Sequence, residues 1–317
     1  MTENHEVVGH DEWTETRQAL LVEEKEFTRG RDELSRRRRE LQWEAVDKEY
    51  TFEGPNGKET LVDLFDGRSQ VIVYHFMFDP EWDEGCPSCS FWADNFDPNV
   101  VHLNARGVTL VAVSRAPFAK IAPYKERMGW SGFHWVSSFN SDFNYDYGVS
   151  FTLEQQATKA NYNYRVEGSP PPDREGISVF FRDGIGKVFH TYSTYARGLD
   201  MMNAAYHYLD LVPLGRDEEG RSPQYWLRRH DEYSGEVVIG HPRRGFEPLQ
   251  LQDPVLGVVQ DGSKFVSVEL LHQLLLLPSP RPPYLSRCSY DEQAGRDSTG
   301  GPTLGSTGRG SSAPIRE

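Results

Sequence analysis

Residues 71–92 read VIVYHFMFDPEWDEGCPSCSFW, an apolar run followed by a Cys-x-x-Cys motif. The run from Val71 to Phe78 is apolar on both alternating faces, which is typical of a strand covered on both sides of a sheet. A short acidic loop, residues 79–84, leads to Cys86 and Cys89, after which apolar residues recur at helical spacing. The stretch therefore predicts a buried strand, a tight loop, a dithiol and a helix in direct succession.

The placement of the two cysteines favours thiol chemistry. The first turn of a helix has unpaired N–H groups and the positive end of the helix dipole, and both stabilise a thiolate, the nucleophile in disulfide exchange. Cys86 is therefore the predicted nucleophile. Cys89, one turn further along, is the predicted resolving cysteine, which attacks the mixed disulfide. A structural or vestigial cysteine pair and a metal site are the alternatives.

Metal binding is the least favoured of these alternatives. Zinc takes four protein ligands in a structural site, and only two thiols are grouped here. His75 and His102 are candidates for further ligands, but His75 lies within the apolar strand, where a histidine is more often part of the core. No nucleotide or phosphate fingerprint occurs. We therefore predict no metal site and no cofactor.

Charged residues near the motif modify the prediction. Four acidic residues precede Cys86, and nearby carboxylates raise the pKa of a thiol, which favours a mild reductant or an acidic specificity rim over a strong oxidant. Arg115 follows the second predicted strand, Val108 to Val113, at the sheet edge that such loops share. It could steady a thiolate or bind an acidic substrate, and a plain surface arginine is equally consistent. The acidic residues are Asp79, Glu81, Asp83 and Glu84.

Strand and helix patterns alternate around this core and predict an α/β sandwich. Asn56-Gly57 indicates a β-hairpin between the apolar runs 50–52 and 61–65. Residues 150–176 are polar and are predicted to be a long insertion. The other predicted elements are a helix restarted at Asp97-Pro98, a helix over 117–128, a strand at 135–136, a second hairpin over 177–181 and 187–192, and a closing helix through Leu199, Met202, Tyr206 and Leu209.

The two ends of the chain differ from this domain, which spans residues 48–233. Residues 1–11 are predicted to be flexible, and residues 12–47 to be helical, with one apolar residue in every seven. One apolar residue per heptad is too few for a coiled coil, and Gly30 weakens the middle of the helix. We therefore predict two helical pieces that lie against the domain or against a partner subunit. A homo-oligomer is compatible with the second arrangement. Residues 234–317 are predicted to be a poorly structured extension, because Gly, Ser, Pro and Arg dominate its end. The apolar residues of this heptad series are Trp13, Leu20, Phe27, Leu34 and Leu41.

The composition limits the partners and the compartment. A net charge of −14 over 317 residues argues against nucleic acid or an anionic membrane as the main partner. The N-terminus lacks the apolar core of a signal peptide, and the longest apolar patch is too short to span a bilayer. Three cysteines are no disulfide framework. We therefore expect a cytoplasmic, reducing setting.

Several longer runs resemble the DUF899 family: residues 71–96, VTLVAVSRAP at 108–117, YKERMGW at 124–130, SDFNYDYGVSF at 141–151 and the aromatic stretch at 188–218. The resemblance covers about residues 12–233. It implies a thioredoxin-like, peroxiredoxin-like three-layer sandwich with an N-terminal hairpin, and a dithiol–disulfide oxidoreductase whose Cys-x-x-Cys corresponds to Cys86 and Cys89.

Two positions depart from the wider thioredoxin pattern. Thioredoxins place a cis-proline just before the strand that faces the dithiol, and this chain has Glu175-Gly176 there, with the nearest prolines at 170–172. Peroxiredoxins carry Thr or Ser three residues before the peroxidatic cysteine, and this chain has Asp83. A thioredoxin-type substrate groove and a peroxiredoxin-type peroxidase are both disfavoured.

The leading hypothesis is thus a thiol–disulfide oxidoreductase that passes electrons from a thiol donor to a protein or small-molecule disulfide. The alternative is a non-catalytic redox sensor or interaction protein on a thioredoxin scaffold, because fold does not imply function. The two hypotheses differ in turnover, since a sensor is oxidised once and does not cycle.

Overall fold

A computed structural model describes residues 5–235 of the chain. The described residues form ten strands and seven α-helices. The strands are β1 (Glu44–Ala45), β2 (Thr51–Gly54), β3 (Gly57–Thr60), β4 (Gln70–His75), β5 (Val108–Ser114), β6 (His134–Ser137), β7 (Lys159–Tyr162), β8 (Arg165–Gly168), β9 (Gly176–Arg182) and β10 (Val188–Tyr195). The helices are α1 (His10–Arg39), α2 (Pro87–Ala93), α3 (Asp97–Ala105), α4 (Phe118–Arg127), α5 (Phe143–Asp146), α6 (Leu153–Ala157) and α7 (Ala204–Leu209).

Eight of the strands form one mixed sheet in the order β1-β10-β9-β4-β5-β6-β2-β3. β4, β5 and β6 run parallel, and β9 pairs antiparallel with β4 from His75 opposite Gly176 to Gln70 opposite Phe181. The central position of β4 explains its sequence, because a strand with neighbours on both edges and cover on both faces has to be apolar throughout.

The order β10-β9-β4-β5 is that of a thioredoxin-like fold. β4 leads into the dithiol helix α2, a parallel β5 follows, and the antiparallel hairpin β9–β10 closes the sheet on the other side of β4. The hairpin β2–β3, which sits beside β6, is the N-terminal hairpin that the peroxiredoxin-like prediction requires. Pro55-Asn56 forms its two-residue turn, and Gly57 begins β3 at φ 100°, a conformation that favours glycine.

Two apolar clusters lie on opposite faces of the sheet and define the three layers. On one face, the helices cover Tyr74 and its neighbours. The covering side chains are Trp92 of α2, Phe96 of the connection before α3, Ile121 of α4 and Tyr206 of α7. On the other face, short elements cover the sheet instead of long helices: a 3₁₀ turn at Asp63–Phe65 and the single turn of α5. The predicted α/β sandwich is confirmed, with an unequal pair of outer layers.

Several predicted elements take another form. The run Leu61–Phe65 is not a strand but a buried turn, because Asp63 caps it by accepting hydrogen bonds from the backbone and hydroxyl of Thr60. The closing helix is interrupted at Asn203, whose side chain accepts the N–H of Tyr206 and starts α7 afresh. Residues 150–176 are ordered into α6 and the hairpin β7–β8, which pack on Val149, Phe151 and Tyr195.

The N-terminal segment is one continuous helix, so the prediction of two pieces was wrong. A glycine inside a helix costs only about 1 kcal/mol relative to alanine. The 30-residue length of α1 and ion pairs such as Arg36 with Glu33 offset that cost.

Apart from residues 234 and 235, the predicted extension 234–317 lies outside the described residues, as does Cys288. Among residues 5–235, no helix is both long enough and apolar enough to cross a membrane.

Candidate functional site

Cys86 sits at the junction between β4 and α2. Its N–H donates to the carbonyl of Met77 at 3.1 Å, and its own carbonyl accepts the N–H of Ser90 at 3.0 Å, so the residue caps the helix as the sequence predicts. The preceding residue has to be small: a Cβ on Gly85 would lie 2.7 Å from the ring of Phe76 and 2.8 Å from that of Tyr124. These contacts hold the nucleophile candidate in a fixed backbone position.

The surroundings of Cys86 favour its thiolate. The strongest effect is a hydrogen bond from the thiol of Cys89, which lowers the pKa of Cys86, and the backbone N–H groups of Cys89 and Ser88 act in the same direction. Burial and the carboxylate of Glu175 oppose this shift, but the pKa of Cys86 remains below the ordinary thiol value. Cys86 is also only partly buried, so a sulfur atom of a substrate disulfide can reach it.

Cys89 has the opposite character. Only 1% of the residue is exposed, and its Sγ accepts the N–H of Met77 at 3.3 Å. Burial raises the pKa of Cys89 well above the ordinary value, and the neighbouring Cys86 raises it further. Both thiols are free in this structure. The structure thus brings the two predicted site residues together, one activated and accessible, the other protected and protonated.

Glu175 is the carboxylate that acts on both thiols. It precedes β9 directly, opposite the end of β4, and its backbone carbonyl accepts a hydrogen bond from the Tyr162 hydroxyl at 2.9 Å. Its charge raises the pKa values of both Cys86 and Cys89, and burial raises its own pKa. The absent proline was the only signal in the sequence; it marked the position but not the carboxylate's nearness to the thiols.

The acidic loop does not act on Cys86 as predicted. Asp79 is paired with Arg115, and Glu84 is paired with Arg127 and Arg229, so two of the four carboxylates are neutralised by arginines. The acidic residue that does raise the pKa of Cys86 is Glu175, which is far away in sequence. The strongest influences on the pKa of Cys86 include none of the four loop carboxylates, and the ion pairs of Asp79 and Glu84 were invisible in the linear sequence.

Arg115 is neither a surface residue nor a contact of the thiols. Its Nε donates to Oδ1 of Asp173 at 2.7 Å and its other nitrogens contact Asp79 and Tyr145, while only 13% of its side chain is exposed. It connects the loops after β4 and β5 with the segment before β9. Its role here is structural: it ties the chain that carries Glu175 to the loop that precedes the dithiol.

Residues 222–233 run along the dithiol helix, a contact that the irregular sequence after Asp217 did not suggest. Gln224 accepts a hydrogen bond from Ser88, one of the two residues between the cysteines. Arg229 donates to the carbonyl of Gly85 at 2.8 Å and to the Tyr124 hydroxyl at 2.9 Å. The ring of Trp226 packs edge-on against Phe91. This segment therefore borders the cysteine motif on both sides.

His75 lies on the sheet face away from the cysteines. Its Nε2 is 2.9 Å from the Ser178 hydroxyl, which is in turn 2.9 Å from that of Ser193, and Ser193 is 2.7 Å from Nε2 of His190. Burial lowers the pKa of His75 to about 3. His102 is exposed on α3. In residues 5–235, no three His, Cys, Asp or Glu side chains are grouped in a way that could hold a metal ion.

Comparisons with known proteins place the chain in a family and give distant structural neighbours. The family model described as "Bacterial protein of unknown function (DUF899)" matches residues 2–233. A search of curated proteins found no match. Peroxidoxin BcpB from Mycobacterium tuberculosis is 15% identical, with 52% of this chain and 94% of that chain covered at a TM-score of 0.32. Peroxiredoxin Q from Xanthomonas campestris is 14% identical, with 51% and 96% covered and the same TM-score. The description of the fold rests on the strand order and on the placement of the dithiol, and not on these TM-scores.

Proposed function

This chain belongs to the DUF899 family, and from that premise and the geometry of the dithiol we propose that it is a thiol–disulfide oxidoreductase. Cys86 is the nucleophile and Cys89 is the resolving cysteine. The observation that carries the proposal is the contrast between the two thiols: the pKa of the accessible Cys86 is lowered, whereas that of the buried Cys89 is raised. A dithiol that turns over needs this difference between its thiols, because one thiol attacks the substrate and the other attacks only after the mixed disulfide has formed.

The reaction proceeds in two exchanges. The Cys86 thiolate attacks one sulfur of the substrate disulfide, an S–S bond forms between Cys86 and that sulfur, and the other substrate sulfur leaves as a thiolate that takes a proton. Cys89 then loses its proton and attacks the Cys86 sulfur, which releases the second substrate thiol and leaves a Cys86–Cys89 disulfide. Two electrons pass to the substrate, and a dithiol donor restores the pair by the reverse exchange.

We assign Glu175 as the base that accepts the proton of Cys89. A buried thiol with a raised pKa needs a base before it can attack, and Glu175 is the acidic residue whose charge acts on both thiols. Burial also raises the pKa of Glu175, which makes its carboxylate a better proton acceptor than an exposed one. Met77 supports the same sulfur through its N–H.

The test is catalytic turnover with dithiothreitol as donor and either insulin or glutathione disulfide as acceptor. Wild type is expected to reduce many disulfides per molecule, and Cys86→Ser to lose this activity. Given glutathione disulfide without dithiothreitol, Cys89→Ser is expected to stop after one exchange and to accumulate a mixed disulfide at Cys86, visible as a mass increase. Cys288→Ser, which removes the third thiol, is the matched control and should retain activity.

Full activity in Cys86→Ser would contradict the proposal, as would a wild type that turns over neither acceptor. In the second case, a protein that still forms one Cys86–Cys89 disulfide per chain and stops would support the redox-sensor alternative.

A further inference from the structure

Helix α1 makes few contacts with the rest of the described chain, among them Arg38 of its last turn over the ring of Tyr192. Its 30 residues extend for about 45 Å, and none of them is buried. The apolar side chains that recur every seven residues share one face and are 47–73% exposed: Trp13 56%, Leu20 50%, Phe27 73% and Leu34 47%. Leu41, just beyond the helix, continues the series at 48%. A row of large apolar side chains in this state is typical of an interaction surface.

The charges of α1 are divided between its two halves. Residues 10–24 contain five acidic and one basic side chain, and residues 25–39 contain seven basic and three acidic ones. The net charges, with histidine neutral, are therefore −4 and +4. A helix of this kind is complementary to its own copy in the reverse direction, whereas two parallel copies would place like charges together.

We propose that α1 is a homodimerisation helix that pairs antiparallel with the α1 of a second copy of this chain. With Phe27 on the two-fold axis, Leu20 faces the other copy's residue 34, and Trp13 faces its residue 41. The same register sets Glu23 opposite the other copy's residue 31, an arginine. The interface is isologous, because each contact occurs twice.

The same features predict how strong the dimer is and what weakens it. One apolar residue per heptad buries less surface than a coiled coil with two, so the opposite charges have to contribute to the association. Ion pairs on an exposed helix surface are screened by salt. We therefore expect the dimer to weaken as the salt concentration rises, which a purely apolar contact would not do.

The experiment measures the mass of the full-length chain by sedimentation equilibrium. At low salt the wild type is expected to have twice its chain mass of 36.2 kDa, and to shift toward the monomer in high salt. Arg31→Glu and Glu23→Arg each place like charges in register twice, so each variant alone is expected to be monomeric. Mixed in equal amounts they restore both pairs, and the mixture is expected to be dimeric.

Arg29→Glu is the matched control. It makes the same change of charge on the opposite face of α1, where Arg29 is exposed, and it should leave the dimer intact. A monomeric wild type at low salt overturns the proposal. So does a dimer that persists in both Arg31→Glu and Glu23→Arg, since it would use another surface. Helix content measured by circular dichroism distinguishes a lost interface from a lost helix.

Discussion

Arg115 donates a hydrogen bond from Nε to Oδ1 of Asp173 over 2.7 Å, where only 3% of the Asp173 side chain is exposed. The same arginine also pairs with Asp79, whose side chain is 10% exposed. Ser150 completes the group by donating to Oδ1 of Asp173 at 2.7 Å. Three separate segments thus depend on a single buried cation.

Arg115→Ala is expected to lower the free energy of unfolding by about 3–5 kcal/mol, because it leaves two carboxylates buried without their cation. Chemical denaturation measures this change. Arg197→Ala is the control: Arg197 also pairs with an aspartate, but 84% of its side chain is exposed, and the expected loss is at most about 1 kcal/mol. A loss of about 1 kcal/mol or less in Arg115→Ala would show that the Arg115 cluster contributes no more than an exposed ion pair.

Glu175→Gln is expected to lower the pKa of Cys86 further, because the carboxylate charge that raises it is removed. The rate of iodoacetamide alkylation against pH, in a Cys288→Ser background, follows the thiolate and gives this pKa. In the same variant the resolving step is expected to slow, since Cys89 loses its proton acceptor.

Asp83→Asn tests whether the acidic loop, rather than Glu175, raises the pKa of Cys86. Asp83 is an exposed carboxylate three residues from Cys86, and its replacement is expected to leave the alkylation profile in place. If Asp83→Asn lowered the pKa of Cys86 and Glu175→Gln did not, the acidic loop would regain the role that the sequence predicted for it.

His75→Gln is expected to change how stability depends on pH. Burial lowers the pKa of His75 from 6.5 to about 3, so the unfolded chain binds a proton over this interval that the folded chain does not. The contribution of a neutral His75 is therefore complete above pH 6.5 and decreases as the pH falls toward 3. The decrease is about 1.4 kcal/mol per pH unit at most.

The variant keeps a polar group near Ser178 but does not titrate. The difference in the free energy of unfolding between wild type and His75→Gln should therefore shrink as the pH falls below 6.5. Denaturation at a series of pH values measures this difference. His102→Gln, at an exposed position of α3, serves as the control. A gap between wild type and His75→Gln that stays constant with pH would contradict the prediction.

The sequence predicted the parts of the fold that local patterns determine. β4 and β5 were recognisable because buried central strands have to be apolar on both faces, and the hairpin was recognisable from Asn56-Gly57 because the φ of 100° at Gly57 favours glycine. The start of α2 directly after Cys86 followed from the apolar residues that recur at helical spacing beyond the motif. These features depend on neighbours in the chain, so one sequence is enough to reveal them.

The parts that it did not predict depend on contacts between distant residues. Glu175 comes near Cys86 only because β9 pairs with β4, and Gln224 reaches Ser88 from 136 residues away. The loop carboxylates Asp79 and Glu84 read as free charges until the structure showed their arginines. Charge effects at the site therefore required the three-dimensional arrangement, whereas the identity of the two cysteines did not.

The unequal burial of Cys86 and Cys89 has a consequence for oxidative damage. A peroxide that enters this site meets Cys86 first and converts it to a sulfenic acid, a state that a nearby thiol condenses to a disulfide. Cys89 is held one helical turn away and is itself shielded, so under the proposed dithiol chemistry we expect its condensation with an oxidised Cys86 to compete with further oxidation to the irreversible sulfinic acid. On this proposal, the buried cysteine is expected to protect the more accessible one from permanent inactivation.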